Sequence, residues 1–224
     1  MPSYPSWMDW LSHFSDNPTI LALLKPERLY AADEARSAPR RPGIYGWYFD
    51  TIPAGIDASS CHSQSGWYLL YCGISPNRPP TNGRSPSKAH IRQRIGTHLG
   101  GNASGSTLRL TLGCLLEGEI GTALRRVGSS GRFTFTNPGE QVLDRWLQSH
   151  ARVCWAEHPS PWEPEHEMLQ SGIPLPLNID GNPCGAFKST LSAVRAAARR
   201  RAEAQPLILD NGGPRRAHLR GLQV

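Results

Sequence analysis

Two short apolar runs stand out in the first third of the chain. Gly43 to Phe49 reads GIYGWYF, and Trp67 to Gly73 reads WYLLYCG. Each is bounded by Gly, Pro, Ser or Asp, the punctuation of β-strands. Strand side chains alternate between faces. Tyr45, Trp47 and Phe49 therefore share one face of the first run, and Ile44, Gly46 and Tyr48 the other. In the second run Trp67, Leu69 and Tyr71 go together. Paired as an antiparallel hairpin, the two runs bring Tyr45 and Tyr71 onto one face. The polar stretch Asp50 to Gly66 is too long for a tight turn. It predicts a surface loop, which the hairpin tolerates because closure entropy grows slowly with length.

Elsewhere the apolar spacing is helical. Trp7, Met8, Trp10, Leu11 and Phe14, then Ile20, Leu21, Leu23 and Leu24, predict one or two short helices broken near Asp16 to Pro18. Ser87 to Leu99 predicts a helix with Ser87 as N-cap and a buried stripe of Ile91, Ile95 and Leu99. On a separate face His90, Arg94 and His98 recur at four-residue steps. Leu108 to Leu116 predicts a further helix, Phe133 and Phe135 a short strand, and Pro138 to Ser149 a helix with proline in its first turn. Arg152 to His158 predicts the third main strand, and Trp162 to Ser171 a helix carrying Glu163, Glu165 and Glu167. Pro174 and Pro176 lead to Leu177-Asn178-Ile179. Thr190 to Glu203 is helix-prone, while Gln205 to Val224 has no period and is expected to be poorly ordered.

This order gives an α+β fold, a small three-stranded antiparallel sheet flanked by helices, with helical N- and C-terminal extensions. We place an N-terminal helical extension at residues 1–40, the central domain at 41–182, and a basic helical extension and tail at 183–224.

Composition narrows the function. No apolar run is long enough to span a bilayer, and the first fifteen residues do not read as a secretory signal. Five cysteines, with no C-x-x-C pair, fit free thiols in a reducing cytoplasm. Cys61-His62 lacks a partner pair at the spacing of a structural zinc site. Gly100 to Ser106 is glycine-rich but has no Gly-Lys-Ser/Thr ending, so nucleotide hydrolysis is not indicated. The net charge is +6, and residues 1–180 contain 16 basic and 16 acidic side chains. The excess therefore lies beyond residue 180, in Lys188, Arg195, Arg199, Arg200, Arg201, Arg215, Arg216 and Arg220 against Glu203 and Asp210. A basic segment of this kind favours a polyanion such as nucleic acid.

These motifs resemble the GIY-YIG nuclease family. Gly43-Ile44-Tyr45 matches its first motif, and Tyr71-Cys72-Gly73 matches the second with Cys for Ile. The helix carrying Arg94 and His98, then a strand, an acidic helix, a proline and Leu-Asn-Ile, follow in the family's order across residues 43–180. Arg92 is the alternative arginine, about 200° around the helix from Arg94. The resemblance implies a divalent-metal-dependent endonuclease acting on nucleic acid, with DNA as the expected partner. Magnesium is the expected cofactor, with manganese able to replace it. One glutamate of the acidic helix would hold the metal. Glu165, followed after two intervening residues by Met168-Leu169, fits the family pattern, and Glu167 is the fallback. Asn178 matches the closing asparagine that helps to order the site.

In the mechanism so implied, Tyr45 is the general base, Tyr71 and His98 support it, and Arg94 clamps the phosphate. A free tyrosine has a pKa of about 10 and is about one part in 1000 ionised at neutral pH, so an alkaline rate optimum is expected. Three departures bear on activity: Ile74 stands where many members carry lysine or another polar residue, and the connections after the first motif and before the third strand are long. The alternative function is a catalytically inactive nucleic-acid-binding module of the same fold.

Overall fold

The computed structural model describes residues 7–182 and 185–211. In chain order it begins with α1 (Trp7–His13), α2 (Pro18–Leu24), β1 (Gly43–Phe49), β2 (Ser63–Gln64), β3 (Trp67–Ser75) and α3 (Ile91–Gly100). There follow α4 (Thr107–Leu115), α5 (Glu117–Ile120), β4 (Arg125–Val127), β5 (Arg132–Thr134), α6 (Thr136–His150), β6 (Ala151–Glu157), α7 (Trp162–Gln170) and α8 (Gly185–Glu203). The chain forms two compact units. The first comprises Met1–Ile52, Ile56–Gly96 and His150–Lys188, and the second Pro53–Gly55, Thr97–Ser149 and Ser189–Val224. Among the described residues no helix is long and apolar enough to cross a membrane.

The first unit is built on an antiparallel sheet in the order β2-β3-β1-β6. It has four strands rather than the expected three. The extra strand, β2, is two polar residues long and leaves no apolar pattern. Ser65 and Gly66, at φ 52° and 80°, form the two-residue turn that folds β2 back on β3.

The register corrects the expected alternation. Tyr45 pairs with Gly73 and Trp47 with Tyr71, but Tyr48 pairs with Leu69. Leu70 is therefore an extra residue in β3, a bulge that reverses the facing of everything before it. Tyr71 shares a face with Tyr45, whereas Leu69 joins Tyr48 on the opposite one. That opposite face forms the core: Ile44, Tyr48, Leu69, Cys72, Ile74 and Cys154 meet Phe14, Ile20, Leu23, Leu24, Met168 and Leu169. α2 is anchored there by Asn17, whose side chain accepts from Ile20 N at 3.1 Å, and by Tyr48, whose hydroxyl donates to Leu23 O at 2.6 Å.

α3 starts four residues later than predicted. Ser87 Oγ accepts from Ala89 N and makes only a local turn. The cap is His90, whose Nδ1 accepts from Gln93 N at 3.1 Å. The first two helical N–H groups, normally orphans, donate to Arg41 O and Pro39 O. Gly43 makes this docking feasible, because a Cβ there would strike Ile91 Cδ1 and the Ala156 carbonyl.

The second unit is organised by a buried ionic network. Arg109, on α4, is fully buried. It donates to Glu140 Oε2 at 2.6 Å and to Asp144 Oδ1 at 2.7 Å, both on α6. It also donates to the carbonyls of His98 and Leu99 at 3.0 and 3.2 Å. Glu140 Oε1 accepts from Ala103 N and Phe135 N. The glycine-rich loop is thus tied to α6, and Ser106 caps α4 by accepting from Arg109 N. The predicted Phe133 strand is β5, paired with β4, while Phe135 lies beyond it and is buried. Val127 bridges Ile208, so the stretch expected to lack order is structured there. Its residues 212–224 lie outside the described residues.

Candidate active site

Four of the five predicted site residues meet in the first unit. Tyr45 sits in the middle of β1, paired with Gly73 on one side and Trp155 on the other. Its ring is 1% exposed. The phenol lies across Gly73: a Cβ there would stand 2.6 Å from Tyr45 Oη and 3.0 Å from Tyr71 Cε1. Real Cβ atoms essentially never approach so closely, so the glycine of the second motif makes room for the tyrosine of the first. Tyr71, on the same face, is half-buried.

Arg94 reaches the site from α3 and hydrogen-bonds the Tyr45 phenol. Burial raises the phenol's pKa well above 10, and the neighbouring Tyr71 adds to the rise. Arg94 opposes it through its charge and its hydrogen bond, and the charge of Glu165 works against Arg94. Arg94 is thus the group in this cluster that favours the phenolate. Arg92 donates instead through Nε to Ala38 O at 2.6 Å and holds the chain leading into β1.

The two candidate glutamates of α7 separate. Glu165 is half-buried and acts electrostatically on Tyr45 and on the buried Cys72 thiol. Burial pushes its carboxyl from 4.5 up to about 7. Glu167 is exposed and accepts from Asn17 Nδ2 at 2.8 Å. A helical step of two residues sends them in different directions.

His98 belongs to the second unit, although α3 carries both it and Arg94. It is fully buried, and its Nδ1 lies 2.7 Å from Ser106 Oγ. Asn178 takes the part of a missing strand beside β3. Its side chain accepts from Cys72 N at 2.9 Å and donates to Cys72 O at 2.8 Å, and Leu177 N donates to Leu70 O at the bulge. These bonds fix the β3 segment that carries Tyr71 and Gly73. One neighbour escaped the sequence reading: Trp155 lies across from Tyr45 and stacks on Tyr30 at 4.2 Å. The alternation of Val153 and Trp155 was legible, but the strand's partner was not.

Among the described residues no group of three or more His, Cys, Asp or Glu is arranged to hold a metal. A zinc site of three or four protein ligands does not fit. A single half-buried carboxylate, costly to ionise on its own, does fit a hard cation that keeps most of its waters.

The model of the GIY-YIG catalytic domain matches residues 43–197. No curated protein and no solved structure matches the chain.

Proposed function

Since this chain belongs to the GIY-YIG family, whose members are nucleases generally dependent on divalent metal, we propose that it is a magnesium-dependent endonuclease hydrolysing DNA phosphodiester bonds. The observation that carries this reading is the convergence on Tyr45 of β1: Tyr71 of β3 meets it over Gly73, Arg94 of α3 hydrogen-bonds its phenol, and Glu165 of α7 acts on it electrostatically.

Glu165 would hold the cation, with manganese able to replace magnesium. When bound, the cation supplies charge neutralisation at the phosphate and at the leaving 3′ oxygen. Tyr45 Oη takes the proton from the attacking water. Its raised pKa makes the phenolate a strong but scarce base, so the rate climbs with pH through the alkaline range. Arg94 already stabilises negative charge on that oxygen, and a guanidinium suits a phosphate oxygen. Tyr71, held against the same glycine, orients the attacking water. His98 acts as a positioning residue, holding the last turn of α3 to Ser106 while Arg94 serves the chemistry from earlier in that helix.

The test is nicking of supercoiled plasmid with magnesium by the wild type, Tyr45→Phe and Glu165→Ala. Cleavage by the wild type that both substitutions abolish supports the assignment. Equal cleavage by all three overturns the site, and no cleavage by the wild type with magnesium or manganese overturns the activity.

A further inference from the structure

We propose that the first unit carries its own nucleic-acid-backbone track, formed by the segment before β1 and the loop before α3. It is independent of the basic C-terminal helix, and its role as a substrate surface rests on the nuclease reading above. The observation is a segregation of charge that the neutral total for residues 1–180 conceals. Residues 35–49 and 58–96 together contain eight arginines and lysines and no aspartate or glutamate. The eight are Arg36, Arg40, Arg41, Arg78, Arg84, Lys88, Arg92 and Arg94.

The fold zips these two acid-free segments together. Ile91 N donates to Arg41 O at 3.0 Å, Arg92 N to Pro39 O at 3.2 Å and Arg92 Nε to Ala38 O at 2.6 Å. Lys88 is three residues before Ile91, the residue whose backbone N–H is bonded to Arg41 O. Arg94 follows Ile91 by less than one helical turn, about 4.5 Å along the axis. Arg40, Arg41 and Lys88 are exposed, and none takes part in an ion pair among the described residues. Strand pairing sets Glu157 opposite Gly43 at the end of β6, and Glu165 lies near Arg94 beside Tyr45.

The arrangement joins unpaired surface cations to the guanidinium that bonds Tyr45. Arg41 and Lys88 thus flank the start of the helix that carries Arg94. Solvated cations on flexible stems, with no base-reading pattern, suit phosphates and give register rather than sequence preference. A nucleic-acid backbone is a polyanion that such a cluster would hold, and the track would lead it to Arg94.

The experiment uses the full chain in EDTA, a labelled 30-bp DNA duplex of mixed sequence, and anisotropy titrations from 50 to 200 mM salt. The triple variant Arg40→Gln, Arg41→Gln, Lys88→Gln is compared with the wild type and with Arg199→Gln, Arg200→Gln in the C-terminal helix. The triple variant should lower the slope of log binding constant against log salt by about 2 to 3, since each phosphate contact contributes about 0.9. An unchanged slope, or no duplex binding by the wild type, overturns the track. A plasmid-nicking assay in magnesium separates the two readings. A reduced slope without any cleavage leaves the track standing and removes the nuclease; cleavage with an unchanged slope does the reverse. Matching thermal unfolding of variant and wild type excludes misfolding as the cause.

Discussion

The Glu165 carboxyl supplies a prediction that needs no activity. Burial raises it from 4.5 to about 7, and each unit is worth about 1.4 kcal/mol. The full shift corresponds to about 3 kcal/mol, which partial exposure reduces to about 2. The folded state binds this proton more tightly than the unfolded state, so stability is lost as pH rises from about 4.5 to about 7 and is level above. Glu165→Gln keeps the shape and removes the titration. In urea unfolding the variant should match the wild type near pH 4 and exceed it by about 2 kcal/mol at pH 8. Magnesium at ten times its Kd should return about 1.4 kcal/mol to the wild type and nothing to the variant. A variant less stable than the wild type at pH 8, or a gap that ignores pH, refutes the claim that Glu165 is an uncompensated buried acid. Equal magnesium stabilisation of both proteins refutes its role as the ligand.

Tyr45→Phe should reduce kcat by 10²- to 10⁴-fold and abolish the rise of rate with pH between 7 and 9.5; a retained pH profile would assign the base elsewhere. Gly73→Ala places a methyl 2.6 Å from Tyr45 Oη and should cost about 1–3 kcal/mol of stability and at least about tenfold in cleavage, read by urea unfolding and nicking; a near-neutral result means the strand yields more than its register allows. Arg109→Ala removes the cation that Glu140 and Asp144 share and should cost about 3–5 kcal/mol by thermal or urea unfolding; Arg109→Met, which removes the same charge but keeps the volume, should cost nearly as much if the lost cation is the main cause. Asn178→Ala exposes the Cys72 N–H and C=O to a loss of about 1–3 kcal/mol each, and hydrogen exchange at Cys72 should speed up while that in the second unit does not.

Local signals carried much of this protein by themselves. The two aromatic runs, the break at Pro18 and the periodicities behind α4, α6, α7 and α8 are short-range patterns, each written in consecutive residues. So were the motif residues, because Gly43, Tyr45, Tyr71 and Gly73 must sit at fixed positions along their own strands. Only the tertiary structure decided what depends on partners distant in the chain. Leu70 became a bulge because Leu177, Asn178 and the β1 register claim the residues around it. Glu165 rather than Glu167 faces Tyr45 because Met168 and Leu169 seat that helix on the core, leaving Glu167 at the surface, where Asn17, 150 residues away, bonds it. Arg109 is one charge in a leucine-rich helix by sequence, and only the fold brings two carboxylates of α6 onto it. Total charge, likewise, is additive along a sequence, whereas an electric field depends on which segments are hydrogen-bonded side by side. That is why a stretch neutral by count can still hold its cations apart from its carboxylates.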